Sequence, residues 1–141
     1  MDAENIDIEK IRLFFEDDRY AMRTGVRIVR AAENAAECSM TLNAFHLNAG
    51  GAVQGGAIYT LADFAFAVAA NAGAINAGRN TRTVTLSGNI CYLKPPRGDR
   101  LIAKATCLSM GKRISVYRVL ISDDLKTSVA DVTINGYRSD F

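Results

Sequence analysis

The first part of the chain changes from a helical pattern to a strand pattern. Residues 6–15 put four apolar side chains on one helical stripe with acidic residues near its start, which predicts a short amphipathic helix. Residues 17–23 predict a further helical turn that Gly25 ends. Residues 26–30 and 37–42 alternate apolar and polar positions, which predicts two strands around a turn.

The middle of the chain predicts one long helix, from residue 54 to about 74, because it is apolar on every helical face. A loop rich in Asn, Gly and Ala precedes it at residues 45–53. Four further strands are predicted at residues 81–92, 100–110, 113–122 and 127–137. This order favours an α+β fold in which one curved antiparallel sheet wraps around the central helix. The apolar face that the sheet leaves uncovered favours a second subunit.

Length and composition narrow the class of protein. The chain of 141 residues is expected to form one domain, residues 1–141, and its apolar content of 49% is typical of globular proteins. A net charge of +2 without basic blocks argues against nucleic-acid binding. The acidic N-terminus is unlike a signal peptide, and Gly, Asn and one Asp interrupt the most apolar stretch, so we expect a cytoplasmic protein without a membrane span. One His and three Cys at no metal-site spacing predict no metal centre and no disulfide.

One charged residue stands out in the apolar region. Asp63 is the only Asp, Glu, Lys or Arg between Cys38 and Gly78, and it lies within the predicted long helix. A carboxylate in apolar surroundings is costly unless it is paired, hydrogen-bonded or used in chemistry. Asp63 is therefore the first candidate for a functional residue, with a purely structural cap or ion pair as the alternative.

The segment around Asp63 carries a recognisable spacing, formed by Asn48, Gly55, Gly56, Leu61, Ala62 and Asp63. This spacing resembles the signature of the PaaI-like acyl-CoA thioesterases of the hotdog fold, in which Asn is followed by His-Gly-Gly and then Leu-Ala-Asp. Residues 89–95, 98–101 and 109–113 also resemble that family, so the similarity spans nearly the whole chain. The family's His is replaced here by Gln54, whose amide can hydrogen-bond but cannot titrate.

The resemblance implies hydrolysis of an acyl-CoA or aryl-CoA thioester to free acid and CoA. Asp63 would attack the thioester or activate a water molecule. The N–H of Gly55, at the start of the helix, would stabilise the oxyanion, because free amides and the helix dipole favour negative charge there. Asn48 and Gln54 would orient the water, the acyl group or the loop. CoA belongs to the substrate, so no separate cofactor is expected.

Gly55 and Asp63 are eight residues apart on one helix, roughly 12 Å along its axis. They cannot both contact one thioester carbon, so a working site needs Gly55 from one chain and Asp63 from another. The resemblance implies the same layout, with two sites per homodimer and, in many members of the family, a tetramer made of two dimers.

Further candidates line the site or meet the CoA phosphates: Gly56, His46, Tyr59, Phe64, Arg82, Arg97, Lys112 and Arg113. Several have ordinary structural alternatives. Asn48 and His46 are also suited to bracing their loop, and the glycine pair to close helix packing. Two other functions stay open: a non-catalytic acyl-CoA binding module, which Gln54 favours, and an enoyl-thioester hydratase or dehydratase that would use His46 with Asp63.

Overall fold

The computed structural model describes residues 6–140. The acidic residues 1–5, which entered the prediction on targeting, and Phe141 lie outside this range. The elements, in chain order, are α1 (Ile8–Phe15), α2 (Arg19–Thr24), β1 (Val26–Ala32), β2 (Ala35–Thr41), a short 3-10 helix (Ala44–His46), α3 (Gly55–Ala77), β3 (Thr81–Tyr92), β4 (Arg100–Met110), β5 (Ile114–Asp123) and β6 (Ser128–Asp140).

The N-terminal helices follow the predicted pattern with later starting points. The side chain of Asp7 accepts hydrogen bonds from the amides of Glu9 and Lys10, so it caps α1, which begins at Ile8 rather than at residue 6. Ile11 and Phe15 of the predicted stripe are buried, whereas Phe14 is 42% exposed. Gly25 ends α2 in the left-handed conformation that glycine adopts without strain.

The six strands form one antiparallel sheet in the order β1-β2-β4-β5-β6-β3. Helix α3 packs against all six strands, so the sheet wraps around it as predicted. The strand β3 lies at one edge: it pairs with β6 on one side and has no strand partner on the other within residues 6–140. The α+β class and the central-helix arrangement are confirmed.

Helix α3 is the core of the fold, and it runs three residues beyond the predicted end. Gly73 lies inside the helix rather than ending it. Its lack of a side chain makes room for the β1–β2 turn, because a Cβ there would lie 3.0 Å from Cγ of Glu33. Gly78 provides the left-handed C-cap. By length and hydropathy α3 resembles a membrane span, but 67% of its most apolar window is buried inside the protein.

A buried amide fastens α3 to the edge strand. The side chain of Asn71 donates to the carbonyl of Thr83 and accepts from its amide, at 2.9 and 2.8 Å. Because both groups are buried, each would be costly to leave without a partner. This pair of bonds fixes the position of β3 relative to the helix that carries Asp63.

Candidate functional site

Asp63 lies on the face of α3 that meets the edge strand. Its Oδ1 accepts a hydrogen bond of 2.6 Å from Oγ1 of Thr85 on β3. The residue is partly exposed rather than buried, and no Lys or Arg among residues 6–140 forms an ion pair with it. In the single chain, Asp63 is a hydrogen-bonded carboxylate that solvent reaches beside a sheet edge.

Sequence reasoning missed Thr85. Thr85 lies two positions after the buried Thr83, so strand alternation turns both side chains toward α3. A register irregularity follows directly, between Thr85 and Ser87. The neighbouring polar residues in this strand gave no signal that Thr85 in particular would face the carboxylate.

The start of α3 presents free donors. The amides of Gly55 and Gly56 have no hydrogen-bond acceptor within the described part of the chain, as expected for the first turn of a helix. The hydroxyl of Tyr92 donates to the carbonyl of Gly55 at 2.8 Å, and a Cβ on Gly55 would lie 2.9 Å from that hydroxyl. Gly55 therefore lets the edge strand approach the helix end closely, while its own N–H stays available.

Gln54 occupies the position before the helix. Its side chain makes no capping hydrogen bond and is exposed, while its amide donates to the carbonyl of His46 at 2.7 Å. The backbone of Gln54 thus ties the preceding loop to the helix start, and its side-chain amide remains free to meet a ligand. A Cβ on Gly56 would meet no atom closer than Cγ of Gln54, at 3.8 Å, so Gly56 faces open space.

The loop before α3 uses the side chain of Asn48. Its Oδ1 accepts from the amides of Gly50 and Ala52, at 3.0 and 3.1 Å. The oxygen of Asn48 is thus engaged in bracing its own loop, as in an Asx turn. The Nδ2 group of Asn48 is the part left for an external ligand.

His46 has a structural environment that does not suit a substrate contact. It is only 3% exposed; its Nδ1 accepts from the amide of Asn43 at 3.0 Å, and its Nε2 lies 2.7 Å from the carbonyl of Thr24. These partners assign the proton to Nε2 and occupy both ring nitrogens. The placement of His46 among the substrate contacts is therefore corrected: it joins the loop to the end of α2.

A cleft of about 200 Å³ opens beside Asp63. Its lining includes the substrate-contact candidates Tyr59 and Phe64 of α3, and also Asp18, which precedes α2, and Tyr20 in its first turn. Phe64 is 3% exposed and packs edge-to-face on Phe15 at 5.4 Å, so it is a core residue that forms one wall. The contribution of Asp18 and Tyr20 was not foreseen, because the contact joins segments distant in sequence.

The four basic candidates divide into two groups. Arg82 begins β3 and donates to the carbonyls of Arg79 and Thr81, with its guanidinium 4.9 Å from the centre of the Phe14 ring. Lys112 and Arg113 lie in the exposed β4–β5 hairpin, which meets the same end of the sheet. Arg97 is at the opposite end of β3, in the loop that follows Tyr92. Within one chain they do not form one cluster.

The carboxylate of Asp123 holds the loop that carries Arg97, a contact that the sequence did not indicate. Oδ2 of Asp123 accepts from the amides of Arg97 and Gly98 at 2.7 and 2.9 Å, and Oδ1 accepts from the amides of Leu125 and Thr127. Burial by itself raises the pKa of Asp123, but these amide donors outweigh it and hold the pKa well below its ordinary value.

Other metal-ligating and thiol side chains in the described part of the chain do not assemble a second site. Among residues 6–140 no three His, Cys, Asp or Glu side chains are arranged to hold a metal ion. Cys38 is buried, which raises the pKa of its thiol to about 12, and Cys91 is exposed. The site therefore consists of Asp63 with its Thr85 partner, the open amides at the start of α3 and the cleft beside Asp63.

A family model of the thioesterase superfamily matches residues 50–130, more than half of the chain. The chain belongs to the thioesterase superfamily. The matched stretch includes Asp63, Thr85 and the start of α3, and the family assignment made from the motif is confirmed. No curated protein matches this thioesterase-superfamily sequence significantly.

Solved structures agree with the family. The E. coli PaaI protein from the phenylacetic acid degradation operon is 28% identical with a TM-score of 0.83, covering 93% of this chain and 91% of that one. A mutant of the phenylacetic acid degradation protein PaaI from Thermus thermophilus is 28% identical with a TM-score of 0.74, covering 84% and 96%. A Streptococcus mutans protein bound to acetyl CoA is 25% identical with a TM-score of 0.73, covering 82% and 90%. The thioesterase is thus a PaaI-like member with the hotdog fold.

Proposed function

We propose that this thioesterase hydrolyses an acyl-CoA or aryl-CoA thioester to the free acid and CoA. Asp63 acts as the nucleophile or as the general base for water, and the amide of Gly55 of the partner subunit stabilises the oxyanion. The observation that carries the proposal is the pairing of a hydrogen-bonded, accessible carboxylate with unpaired helix N-terminal amides. Together they supply an attacking group and an oxyanion donor.

The separation of these groups supports a site shared between two chains. Gly55 and Asp63 lie roughly 12 Å apart along α3, too far to hold one thioester carbon. Tyr92, at one end of β3, contacts Gly55, and Thr85, further back in the same strand, contacts Asp63. Both partners of the site are thus attached to the edge strand.

The free edge of β3 supports a specific arrangement of the two chains. A long edge strand is a template for pairing with another chain. Antiparallel pairing of β3 with its copy, about a twofold axis at Asn89, would set the bulged residues 85–86 opposite Tyr92 of the partner subunit, so Thr85 would lie near that tyrosine. Asp63 would then lie beside the first turn of the partner's α3. The homodimer carries two such sites, and we expect two dimers to form a tetramer.

The same arrangement supports a place for the CoA phosphates. Antiparallel pairing would bring the Arg97 loop of one chain toward the end of the sheet that carries Arg82, Lys112 and Arg113 in the other. Basic side chains from both chains would then flank the thioester and meet the phosphates. The acetyl-CoA complex of the Streptococcus mutans neighbour supports acyl-CoA as the ligand class. We expect no cofactor beyond the CoA of the substrate, and a cytoplasmic location.

A specific observation favours one alternative function. The side chain of Gln54 is exposed and makes no capping hydrogen bond, and it stands where the resembling family has a His. A non-catalytic acyl-CoA binding module would follow if this replacement removed turnover. The hydratase alternative loses its support, because both nitrogens of His46 are engaged in the core.

The test is a panel of short, long and aromatic CoA thioesters assayed by release of free thiol. We expect turnover by the wild type and a loss of at least about 100-fold in Asp63→Asn and Asp63→Ala, with unchanged melting temperature. Glu16→Gln, which removes a negative charge at an exposed position, is the matched control and retains activity. Normal turnover in the Asp63 variants contradicts the proposal, and tight binding without hydrolysis by the wild type indicates the binding module.

A further inference from the structure

Tyr59 is a polar group of the cleft that the proposed reaction does not use. It lies one helical turn before Asp63 on α3, so the two side chains share a face. The Tyr59 hydroxyl packs against Gly88 of β3, where a Cβ would collide with it. Gly88 therefore provides the space that the phenol occupies, and the ring is held between the helix and the edge strand.

The hydroxyl of Tyr59 has no hydrogen-bond partner within residues 6–140. It is half-buried, and its pKa is raised by burial and further by the nearby Asp63 and Tyr92. Because the pKa rises from a value already near 10, the phenol stays protonated at neutral pH and can donate.

The other polar side chains of the cleft make internal hydrogen bonds or lie at its mouth. Oδ1 of Asp18 accepts from the amide of Ala21, and Oγ1 of Thr60 donates to the carbonyl of Gly56. Tyr20 is 71% exposed at the mouth. Tyr59 is therefore the cleft residue on α3 whose hydroxyl makes no hydrogen bond among the described residues, and it lies one turn from Asp63.

The size of the cleft limits what can reach that donor. A cavity of about 150 Å³ accommodates benzene. The cleft of about 200 Å³ therefore holds a short acyl chain or one ring, and a long chain would have to leave it. Its lining is polar and apolar in similar proportion, which suits an acyl group that carries oxygen.

We propose that the Tyr59 hydroxyl determines acyl specificity by donating a hydrogen bond to an oxygen on a short acyl group, so that oxygen-bearing acyl-CoA substrates are preferred over plain aliphatic ones. This inference rests on the proposed thioesterase function. The role is one of recognition: the phenol contacts the acyl group, while the attack on the thioester carbon belongs to Asp63.

The test compares Tyr59→Phe with the wild type on a matched pair of substrates, 3-hydroxybutyryl-CoA and butyryl-CoA. We expect kcat/KM to fall about 10-fold for the hydroxylated substrate and less than about 2-fold for the plain one, because one hydrogen bond is lost in the first case only. Tyr137→Phe removes an exposed phenol that does not line the cleft, and it is expected to change neither value. Equal losses on both substrates, or no loss on either, overturn the inference.

A binding measurement separates this inference from the proposed function. In the Asp63→Asn background, calorimetry gives the Kd of both CoA thioesters with and without Tyr59→Phe. A selective loss of affinity for the hydroxylated compound supports the role of Tyr59 even when the wild type releases no thiol from any thioester. The contrary outcome is that Tyr59→Phe leaves unchanged the ratio of kcat/KM between the two substrates and the ratio of their Kd values while the wild type hydrolyses both. That result refutes the role of Tyr59 and leaves the thioesterase function intact.

Discussion

Replacing Gly55 with proline removes one N–H from the start of α3. Position N1 of a helix tolerates proline, and Gln54, at φ −60° and ψ 129°, already has the extended conformation that a residue before proline requires. The Gly55 amide has no internal acceptor among the described residues, so the loss of this N–H breaks no hydrogen bond of the fold. The new Cβ does displace the Tyr92 hydroxyl, which would lie 2.9 Å away and which donates to the Gly55 carbonyl. Gly55→Ala carries the same Cβ and keeps the N–H, so it is the matched control.

The ratio of kcat between Gly55→Ala and Gly55→Pro therefore isolates the amide. Loss of one oxyanion donor typically costs about 100- to 1000-fold in kcat, and we expect a ratio in that range in the thiol-release assay. Similar rates in the two variants would refute the assignment of the Gly55 amide as the oxyanion donor. Circular dichroism spectra and melting temperatures of both variants check that α3 is intact.

The same variant tests whether the site is shared between chains. Gly55→Pro and Asp63→Asn, each nearly inactive alone, are mixed and allowed to exchange subunits. A mixed dimer has one site with both groups intact and one with neither. With random exchange half of the dimers are mixed, so about a quarter of wild-type activity returns. If mass spectrometry detects mixed dimers and no activity returns, the two groups do not act across the interface.

Two further predictions concern residues that position the site. Thr85→Val removes the hydroxyl that donates to Asp63 and keeps the shape of the side chain, so we expect kcat to fall about 10-fold. Thr85→Ser keeps the donor and should keep most of the activity. Steady-state kinetics of both variants checks this. Asp123 has a lowered pKa in the folded state, so it contributes stability at neutral pH that is lost as the pH falls below about 4 toward the folded-state pKa. Urea unfolding at several pH values should show that Asp123→Asn lowers the free energy of unfolding by about 2 kcal/mol at pH 7 and weakens its dependence on pH. The same change of unfolding free energy with pH in the wild type and the variant would contradict this.

Local sequence patterns predicted the bounds of those strands that end at clear turn residues. The bounds of β3 and β4 are as predicted, because a Pro-Pro-Arg-Gly-Asp segment and a glycine hairpin separate the strands. The β1–β2 turn was predicted too long. It contains only Glu33 and Asn34, with Asn34 at φ 65°, because the flanking alanines pair as strand residues although their intrinsic preference is for helix.

The candidate site was predictable only as far as it lies in one segment. The motif located Asp63, Gly55 and Asn48 by their spacing along the chain. The partners that define their roles come from elsewhere: Thr85 is 22 residues from Asp63, and Tyr92 is 37 residues from Gly55. Such contacts depend on how strands and helices pair in three dimensions, which hydrophobic periodicity does not encode. The bracing role of His46 was among the alternatives, but its bond to the Thr24 carbonyl, 22 residues away, could not be read from local patterns.

The chain order has a consequence for synthesis. Helix α3 is apolar on all sides, and β3–β6, which cover it together with β1 and β2, follow it in the chain. At the usual rates of translation, the roughly 60 residues after α3 take about 3 to 12 s to be made. During that interval the ribosome-bound chain exposes a segment with the length and hydropathy of a membrane span. We therefore expect chaperone binding during this interval to keep the helix out of aggregates and membranes until β3–β6 can cover it.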